Sequence, residues 1–452
     1  MQKLFILFSI ALLVLNACFQ AKQQATAATQ NKTDIDTDTL LDRVQRQTFN
    51  YFWDGAEPHS GMARERIHMD GLYPQQDQDV VTIGGTGFGI MAIIVAADRG
   101  FIPKADAVQR LTKIVDFLAT IPRFKGAWAH WYDGPTGTVK AFSEKDNGGD
   151  IVETAFLAQG LVVVREYFKQ GNTAEKALAD LADSLWKSID WNHYTQGEKV
   201  LYWHWSEQHG FGMNHPIRGF DECLIAYVLG AASPTYPISK AVYDMGWARS
   251  GALKTEAQKY GIPMLVKHNA QPGEVGPLFW SHYSFIGLNP MGLSDNYVNY
   301  GQAVVNHANI HITHAEHNPH KFVGYGKDKG WGLTASYSLA GYSAHHPDND
   351  IGVISPTAAL SSMPYTPNES QSFMRYLFTH LKAKVWGKYG FYDAYSETEN
   401  WYPQRYLAID QGPIVCMIEN YRSGLLWRTF MQAEEVQSGL KKLGFEIHNL
   451  NK

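Results

Sequence analysis

Glu144-Lys-Asp-Asn-Gly-Gly-Asp-Ile-Val-Glu153 is a glycine-marked acidic turn that runs directly into an apolar segment reaching Phe168. Two further stretches share this design, Arg218-Gly-Phe-Asp-Glu222 and Ala408-Ile-Asp-Gln-Gly-Pro413. A helix that is apolar on all sides has to be buried, whereas an amphipathic helix is half exposed. Each stretch therefore predicts an inner helix that has carboxylates at its start.

Two kinds of helical segment alternate along the whole chain. Amphipathic segments are predicted at 40–53, 103–119, 174–190, 367–385 and 433–443. Segments that are apolar nearly all round are predicted at 83–98, 150–168, 220–232, 356–363 and 410–430, and a sixth is expected within 280–310. The alternation predicts an all-α fold, an (α/α)6 toroid with long irregular loops and short strands lining a cleft. A helical bundle without a central cleft is the alternative.

The predicted loops are long and rich in Gly, Pro, Trp, Tyr and His. They fall at 54–81, 122–149, 191–218, 248–338 and 387–408. Loops of this length in a compact domain are usually functional or disordered, and the aromatic content argues against disorder. Val200-Leu-Tyr-Trp-His-Trp205 alternates like a short strand, which places Trp203 and Trp205 on one face.

Parallel inner helices place their N-termini at one rim, so the three acidic turns are expected around a common cleft. The chain also contains 13 Trp and 24 Tyr. Most of these residues pack in the core, but aromatic faces also suit the flat apolar faces of sugars. Glycoside hydrolysis needs two carboxyl groups that face one bond. The pattern therefore indicates a carbohydrate-cleaving pocket.

Most of the candidate carboxylates have a structural alternative. Asp150 and Glu153 have the spacing of a capping box, whereas Asp146 is expected on the loop and is the better functional candidate. Glu222 is expected on the first turn of a helix that Asp221 can cap, and a general acid there has to be kept protonated by burial or by a neighbouring carboxylate. Asp410 is either a cap or a catalytic base, and Gln411 is a candidate sugar ligand.

Several other classes of function are disfavoured. The net charge of −5 without a basic run argues against nucleic acid. Gly84-Gly-Thr-Gly-Phe-Gly89 has the wrong spacing for a dinucleotide loop and no strand before it, so no cofactor is expected. A histidine cluster could bind a metal, but Asn and Pro are expected to interrupt any helix there, so histidines bound to substrate or backbone are preferred. The cluster comprises His307, His311, His314, His317 and His320.

The N-terminus has the pattern of a targeting segment. Residues 1–17 are predicted to be a lipoprotein signal peptide, with cleavage before Cys18 and acylation of its thiol; an ordinary cleavage site near Ala25-Thr-Ala-Ala28 is the alternative. Residues 18–37 are predicted to be a flexible tether, and 38–452 a single catalytic domain. We expect an exported monomer whose lipid anchor lies in the outer membrane of a diderm bacterium.

Only two cysteines, Cys223 and Cys416, remain after the predicted signal peptide and lipidation site. Both lie in apolar helical patterns, so buried free thiols are expected rather than a disulfide.

Four longer motifs resemble the bacterial glycoamylase-like domain proteins, which include the endo-β-1,2-glucanases of glycoside hydrolase family 144. They are Thr357-Ala-Ala-Leu-Ser-Ser-Met-Pro-Tyr365, Tyr389-Gly-Phe-Tyr-Asp-Ala-Tyr395, Leu407-Ala-Ile-Asp-Gln-Gly-Pro-Ile414 and Ile418-Glu-Asn-Tyr-Arg-Ser-Gly-Leu-Leu-Trp427. The resemblance covers roughly residues 40–445. It implies an (α/α)6 toroid, no metal requirement and inverting, endo-acting cleavage of β-1,2-linked glucan.

The resemblance also implies roles for individual residues. Glu222 resembles the proton donor, and Asp146 or Asp410 would activate water. The substrate-binding residues would be Arg218, Trp203, Trp205, Tyr392 and Trp401. The acidic site would further include Asp150 and Glu153. The chain departs from the family at Tyr337, where the family usually has Asp, so one substrate contact differs.

Three other functions stay open from the sequence. A non-catalytic carbohydrate-binding lipoprotein would keep the aromatic walls without opposed carboxylates. A glycosidase of the same fold could cut another glucan linkage. A polysaccharide lyase is disfavoured because its uronate substrate is acidic and this chain is net negative.

Overall fold

The computed structural model describes residues 35–269 and 273–448. The predicted signal peptide 1–17, the lipidation site Cys18 and most of the tether 18–37 lie outside the described residues. Two compact units divide at Asp42, residues 1–42 and residues 43–452. Of the first unit only residues 35–42 are described, and they include the beginning of the first helix. All of the site residues belong to the second unit.

The described residues are mainly helical. Besides short helical turns, the helices are α1 Thr37–Trp53, α2 Ile83–Asp98, α3 Lys104–Thr120, α4 Ile151–Phe168, α5 Thr173–Lys187, α6 Leu224–Ala232, α7 Tyr300–His317, α8 Pro356–Leu360, α9 Pro367–Tyr376, α10 Ala408–Arg422, α11 Leu425–Met431 and α12 Glu434–Leu443. In this part of the chain no helix is both long and apolar enough to cross a bilayer.

Five buried helices and one pair of turns form a closed inner ring. Helix α8 packs against α10, α10 against α2, α2 against α4 and α4 against α6. The 3-10 turns Leu278–Ser281 and Tyr283–Phe285 complete the ring. Ser284 accepts a hydrogen bond from the Ile225 N–H of α6 at 3.0 Å, and Tyr365 donates to the Ser281 carbonyl at 2.9 Å. The predicted (α/α)6 toroid is confirmed.

The sequence explains why the inner helices approach closely. Gly87 of α2 and Gly160 of α4 meet at the crossing. A Cβ at Gly87 would lie 2.4 Å from the Phe156 carbonyl oxygen, and one at Gly160 would lie 2.6 Å from the Gly87 carbonyl oxygen. The amphipathic helices α3 and α5 pack outside this layer, where they bury only one face.

Short antiparallel strands connect the loops around the ring. One sheet has three strands, Val80–Thr82, Trp131–Asp133 and Val139–Lys140. The two-stranded pairs are Arg66–His68 with Arg405–Leu407, Gly149–Asp150 with His204–Trp205, Gln258–Lys259 with Ile262–Pro263, Leu293–Ser294 with Glu446–Ile447, Ala335–Ser338 with Gly341–Ala344, and Trp386–Gly387 with Gly390–Phe391.

Several predicted boundaries are wrong. The inner segment expected within 280–310 is a pair of 3-10 turns, because Gly287 and Pro290 prevent a longer helix after Phe285. The segment 410–430 is broken at Gly424, which has φ +70 and starts a second helix. The segment 367–385 is likewise interrupted, by a π-helical turn at Leu377–Leu381.

The irregular loop expected at 248–338 contains helix α7, which the sequence analysis missed. Asn299 caps this helix by accepting from the Gln302 N–H at 2.9 Å, and Asn318 ends it with φ 40. Of the residues that were expected to interrupt a helix, Asn318 and Pro319 lie at its C-terminal end, whereas Asn309 lies within it.

Candidate active site

A cavity of about 370 Å³ opens where the inner helices begin. Its lining includes residues from the starts of α2, α4 and α10, from the turn before α6 and from the 278–285 turns: Thr82, Glu153, Glu222, Tyr283, Leu407 and Ile409. Segments that are far apart in the sequence meet here because the inner helices place their N-termini at one rim. The predicted common cleft is therefore present.

Aromatic side chains form much of the remaining wall. Trp131, Phe142, Trp203, Phe279 and Tyr337 all line the cavity. Phe142 stacks on the His130 imidazole with ring centroids 4.4 Å apart, and it meets Trp131 edge-on at 4.8 Å. Flat apolar walls beside carboxyl groups suit a sugar, which presents both apolar faces and hydroxyl groups.

Asp146 and Asp150 are buried in a network with two histidines. Asp150 Oδ1 accepts from the Val152 and Glu153 N–H groups at 2.9 and 3.0 Å, so Asp150 is the N-cap of α4 as expected. The other oxygen of Asp150 lies 3.0 Å from His130 Nδ1. Asp146 lies on the loop, as expected, and its Oδ2 is 3.1 Å from His204 Nε2.

The network holds the histidines next to the aspartates, so that their opposite charges stabilise each other. Burial opposes the charge on His130, but Glu153, Asp150 and Asp146 outweigh burial and raise its pKa to about 10. Burial likewise opposes the charge on His204, yet Asp146 and Asp150 raise its pKa to about 9. Burial would raise the pKa of Asp150, but hydrogen bonds to His130 and His204 hold it far below its usual range. His130 and His204 were not identified from the sequence.

Glu153 does not close a capping box. Its Oε2 accepts from the Gly84 N–H at 2.7 Å, so it joins the first turn of α4 to that of α2. Burial raises the pKa of Glu153 to about 7, although the nearby His130 acts in the opposite direction. Glu153 is thus a cavity-lining carboxyl that is partly protonated near neutral pH.

Glu222 lies on the turn immediately before α6, one residue after Asp221. Asp221 Oδ1 accepts from the Cys223 N–H at 2.9 Å, and burial raises the pKa of Asp221 to about 7. Burial also raises the pKa of Glu222 well above its ordinary value, and the adjacent Asp221 adds to this effect. Glu222 therefore lines the cavity with its pKa shifted toward the protonated form, which a general acid requires.

Asp410 lies in the first turn of α10, and its side chain does not act as a helix cap. Tyr283, which lines the cavity, donates its hydroxyl to Asp410 Oδ1 at 3.3 Å. A buried neighbour, Asp393, accepts from the Tyr337 N–H at 2.7 Å. Burial and the nearby Asp393 raise the pKa of Asp410 well above its ordinary value. Sequence reasoning missed Asp393, although it lies within the Tyr389-to-Tyr395 motif.

Among the predicted sugar ligands, Trp203 lines the cavity and Trp205 does not. Trp205 lies against His193, with ring centroids 4.7 Å apart, and under the Lys125 ammonium group at 5.6 Å. Arg218 is exposed and does not belong to the lining.

The other three predicted ligands serve packing in this structure. Tyr392 is buried against Tyr406, with centroids 5.0 Å apart. Trp401 packs on the cluster that contains Tyr337 and Leu407. Gln411 donates its amide to the Tyr389 carbonyl at 2.7 Å. Their substrate contacts, like that of Arg218, stay predictions.

Tyr337, which stands where the family usually has Asp, forms part of one wall of the cavity. It lies in the Ala335–Ser338 strand, and its hydroxyl is 2.6 Å from His68 Nε2. His68 in turn stacks on Tyr73 with centroids 4.9 Å apart. An aspartate would be too short to make the same contact, so Tyr337 changes both the charge and the shape of this wall.

The histidine cluster binds protein groups. His307 and His311 both lie within 3.0 Å of the Gly276 carbonyl, and His314 Nε2 is 2.8 Å from Asp350. These contacts attach loops to α7. Elsewhere, the ligand atoms of His130, Asp146 and Asp150 lie within 4.8 Å of one another, close enough for a metal ion, but direct histidine–carboxylate contacts already account for them.

Both remaining cysteines are free and buried, as expected. Cys416 lies within 3.6 Å of the Phe88 carbonyl, which places it between α10 and α2.

Comparisons with known proteins agree with this architecture. The Glycoamylase family model, described as "Putative glucoamylase", matches residues 214–434. The structure of an endo-β-1,2-glucanase from Chitinophaga pinensis, in complex with sophorotriose and glucose, superposes with a TM-score of 0.90. The two chains are 56% identical, and the match covers 91% of this chain and 99% of the other.

Two comparisons involve Parabacteroides distasonis. The structure of a β-1,2-glucanase is 40% identical with a TM-score of 0.85, and the match covers 91% of this chain and 60% of that one. An exo β-1,2-glucooligosaccharide sophorohydrolase acting at the non-reducing end is 41% identical over 442 residues. That match covers 93% of this chain, which spans 59% of the length of this curated relative. The chain belongs to the bacterial glycoamylase-like family, which its sequence motifs resemble.

Proposed function

We propose that this protein is an inverting glycoside hydrolase that cleaves β-1,2-linked glucan. The observation that carries the proposal is the position of Glu222 in the wall of an aromatic cavity, where its pKa is raised, in a chain 56% identical to an endo-β-1,2-glucanase. The relatives with a stated activity are hydrolases of β-1,2-glucan or its oligosaccharides. A non-catalytic binding protein and a different linkage have no support among them.

In this mechanism Glu222 protonates the leaving glycosidic oxygen, and a carboxylate on the opposite face activates water. Inverting enzymes separate these carboxyl groups by roughly 6.5–9.5 Å, which leaves room for the water. Asp146 is one candidate for the second carboxylate because it is a buried carboxyl group on the loop before α4, with its Oδ2 3.1 Å from His204 Nε2. Asp410 is the other candidate, because its carboxyl group is hydrogen-bonded to Tyr283 in the cavity wall.

The decisive experiment is product analysis on linear β-1,2-glucan with wild type and Glu222→Gln. Release of short gluco-oligosaccharides by the wild type alone would support both the linkage and the acid. NMR of the first products would report the anomeric configuration, and retention would overturn the inverting mechanism. Product release from another glucan only would show that the enzyme is specific for a different linkage. Inactivity on every glucan would overturn the hydrolase assignment.

Asp146→Asn and Asp410→Asn distinguish the two candidates for the base. The variant that removes the base should lose about 10²–10⁴-fold in kcat while its substrate KM changes little. A rise in KM with an equal fall in kcat/KM, at unchanged kcat, would assign that residue to substrate binding.

We propose endo action. The relatives named above include both an endo-glucanase and an exo-acting sophorohydrolase, so this feature varies within the family. An endo enzyme shortens long glucan before dimers accumulate, whereas an exo enzyme releases sophorose from the start. Size-exclusion chromatography of the glucan during the first per cent of hydrolysis separates the two.

We further propose that the protein is an exported monomer held to the outer membrane by a lipid on Cys18. The lipobox-like Leu15-Asn-Ala-Cys18 supports this proposal. Labelling with a fatty acid should mark the wild type and not Cys18→Ser, which should also leave the membrane fraction. Equal labelling of both would overturn the anchor, and light scattering of the released domain tests the monomer.

A further inference from the structure

Asp393 and Asp410 form a buried pair of carboxyl groups beside the cavity. Asp393 is 2% exposed and Asp410 is 1% exposed. One oxygen of each carboxyl group accepts a hydrogen bond. The Tyr337 N–H donates to Asp393 Oδ2, and the Tyr283 hydroxyl donates to Asp410 Oδ1. The other oxygens, Asp393 Oδ1 and Asp410 Oδ2, are buried and have no donor among the described residues. The two carboxyl groups lie close enough for each to change the pKa of the other.

No nearby cation neutralises this pair within the described part of the chain. The Arg405 guanidinium lies 3.2 Å from Asp70, and the Arg66 guanidinium lies 3.6 Å from Asp77. Glu65 faces the pair and adds negative charge. Two neighbouring carboxyl groups cannot both ionise at low cost, which favours a state in which the pair holds one proton.

The two halves of the pair differ. Burial raises the pKa of Asp393 to about 6, and burial together with the nearby Asp393 raises the pKa of Asp410 well above its ordinary value. The backbone N–H of Tyr337 at 2.7 Å stabilises charge on Asp393 better than the Tyr283 hydroxyl at 3.3 Å stabilises charge on Asp410. Near neutral pH the negative charge therefore lies mainly on Asp393, and the shared proton lies mainly on Asp410.

We propose that Asp393 is a positioning residue that shares one proton with Asp410, so that the pair acts as the base. The proposal rests on the proposed hydrolase function and chooses Asp410 over Asp146. A water molecule gives a proton to Asp410 Oδ1 while the proton on Asp410 Oδ2 moves to Asp393 Oδ1. The water oxygen bonds to the anomeric carbon, the glycosidic bond breaks, and Glu222 protonates the leaving oxygen. The pair goes from −1 to neutral as Glu222 goes from neutral to −1.

Asp393→Asn tests the shared proton through the pH profile of kcat/KM. The asparagine oxygen can still accept from Tyr337 N–H, so the fold contact is kept. Without the charge on Asp393, Asp410 ionises by itself at lower pH and is a weaker base. We expect kcat to fall about ten- to hundredfold and the acidic limb to move to lower pH. A fall in kcat with an unmoved acidic limb would mean a purely structural role and would overturn the proposal.

Asp77→Asn is the matched control, because Asp77 is also a buried aspartate but faces Arg66 rather than the pair. Its acidic limb should coincide with that of the wild type. A shift equal to that of Asp393→Asn would also overturn the proposal, since it would reflect a general loss of negative charge.

Infrared spectroscopy of protein labelled with ¹³C-aspartate needs no substrate. At pH 8 we expect a protonated-carboxyl band in the wild type and in Asp221→Asn, and its loss in Asp393→Asn. No band in an enzyme that hydrolyses β-1,2-glucan would overturn the pair and leave the function standing. A band in a protein that hydrolyses no glucan would overturn the function, and with it the role of the pair as a base.

Discussion

At the scale of single residues, the surroundings that keep Glu222 protonated also cost the folded protein stability. An unfolded Glu loses its proton near a pKa of about 4.3, whereas burial and Asp221 raise the pKa of Glu222 in the fold. Between these two pKa values the folded state binds more protons, so this group lowers the stability as pH rises.

Glu222→Gln should remove that penalty. We expect the variant to match the wild type near pH 4 and to unfold at a higher temperature than the wild type at pH 8. Thermal unfolding followed by circular dichroism at both pH values measures this difference. Glu207→Gln, on an exposed turn, is the control and should show no such trend. A pH-independent difference for Glu222→Gln would contradict the raised pKa of Glu222.

The contact between His204 and Asp146 should stabilise the fold by charge pairing. His204→Gln leaves the carboxylates of Asp146 and Asp150 buried without one of their cations, which should cost about 3–5 kcal/mol. Adding Asp146→Asn should recover much of the loss. Urea unfolding of the wild type, the two single variants and the double variant measures the coupling free energy between the two residues.

The pH dependence of this pair has a definite sign. Its stabilisation is fully present below the unfolded histidine pKa of about 6.5. It is lost as pH rises through about 9, the pKa of His204 in the fold. The advantage of the wild type over the double variant should therefore shrink between pH 7 and pH 10. An advantage that stays constant would contradict the ion pair.

At the scale of elements, the starts of α4, α6 and α10 could be predicted from their glycine-marked acidic turns. Asp150 capping α4 follows from local sequence, because a cap requires only the next three residues. Glu153 could not be assigned locally, since its partner is the Gly84 N–H on another helix. The sixth inner element was misjudged because 3-10 turns have no 3.6-residue apolar period.

The crossing of α2 and α4 should tolerate no side chain at Gly87. A methyl group there would meet the backbone at Phe156 and Leu157 at 2.4–2.7 Å, which cannot move aside cheaply. We expect Gly87→Ala to lose about 1–3 kcal/mol in urea unfolding. In α6, Gly230→Ala meets only the Ile238 side chain at 3.0 Å and gains helix propensity, so it is the control. Equal effects would show that helix crossing is not the constraint.

At the scale of the whole ring, a charge network attaches the last helix to the second inner one. Arg165 of α4 binds Glu435 of α12 through two bonds of 2.8 Å, and Asp183 of α5 at 2.7 Å. Lys187 lies 3.1 Å from Glu435. Helix α12 is thereby held beside helices that precede it by more than 200 residues.

Arg165→Met should loosen this attachment, because Glu435 and Asp183 would keep their charges without the main cation. We expect a loss of about 3 kcal/mol in urea unfolding at pH 7. Burial would raise the pKa of Glu435, but the hydrogen bond from Arg165 holds it at about 2. The stabilisation is therefore present above the unfolded pKa and is lost as pH falls toward 2. Glu435→Gln should flatten that dependence, whereas the exposed Glu434→Gln should not.

The sequence by itself determined the helix types, the starts of α4, α6 and α10, the Asp150 cap and the family. These features depend on residues within one or two turns of each other or on contiguous motifs. It also indicated Glu222 and Asp146 as chemically competent residues.

Only the tertiary structure decided how these groups are used. Burial and long-range neighbours brought His130 and His204 to Asp146 and Asp150, and Asp393 to Asp410. In the fold, Trp205, Tyr392 and Gln411 contact other protein groups: His193, Tyr406 and the Tyr389 carbonyl, respectively. The physical reason is that protonation and exposure depend on what the fold packs around a side chain, and those partners lie tens to hundreds of residues away in the sequence.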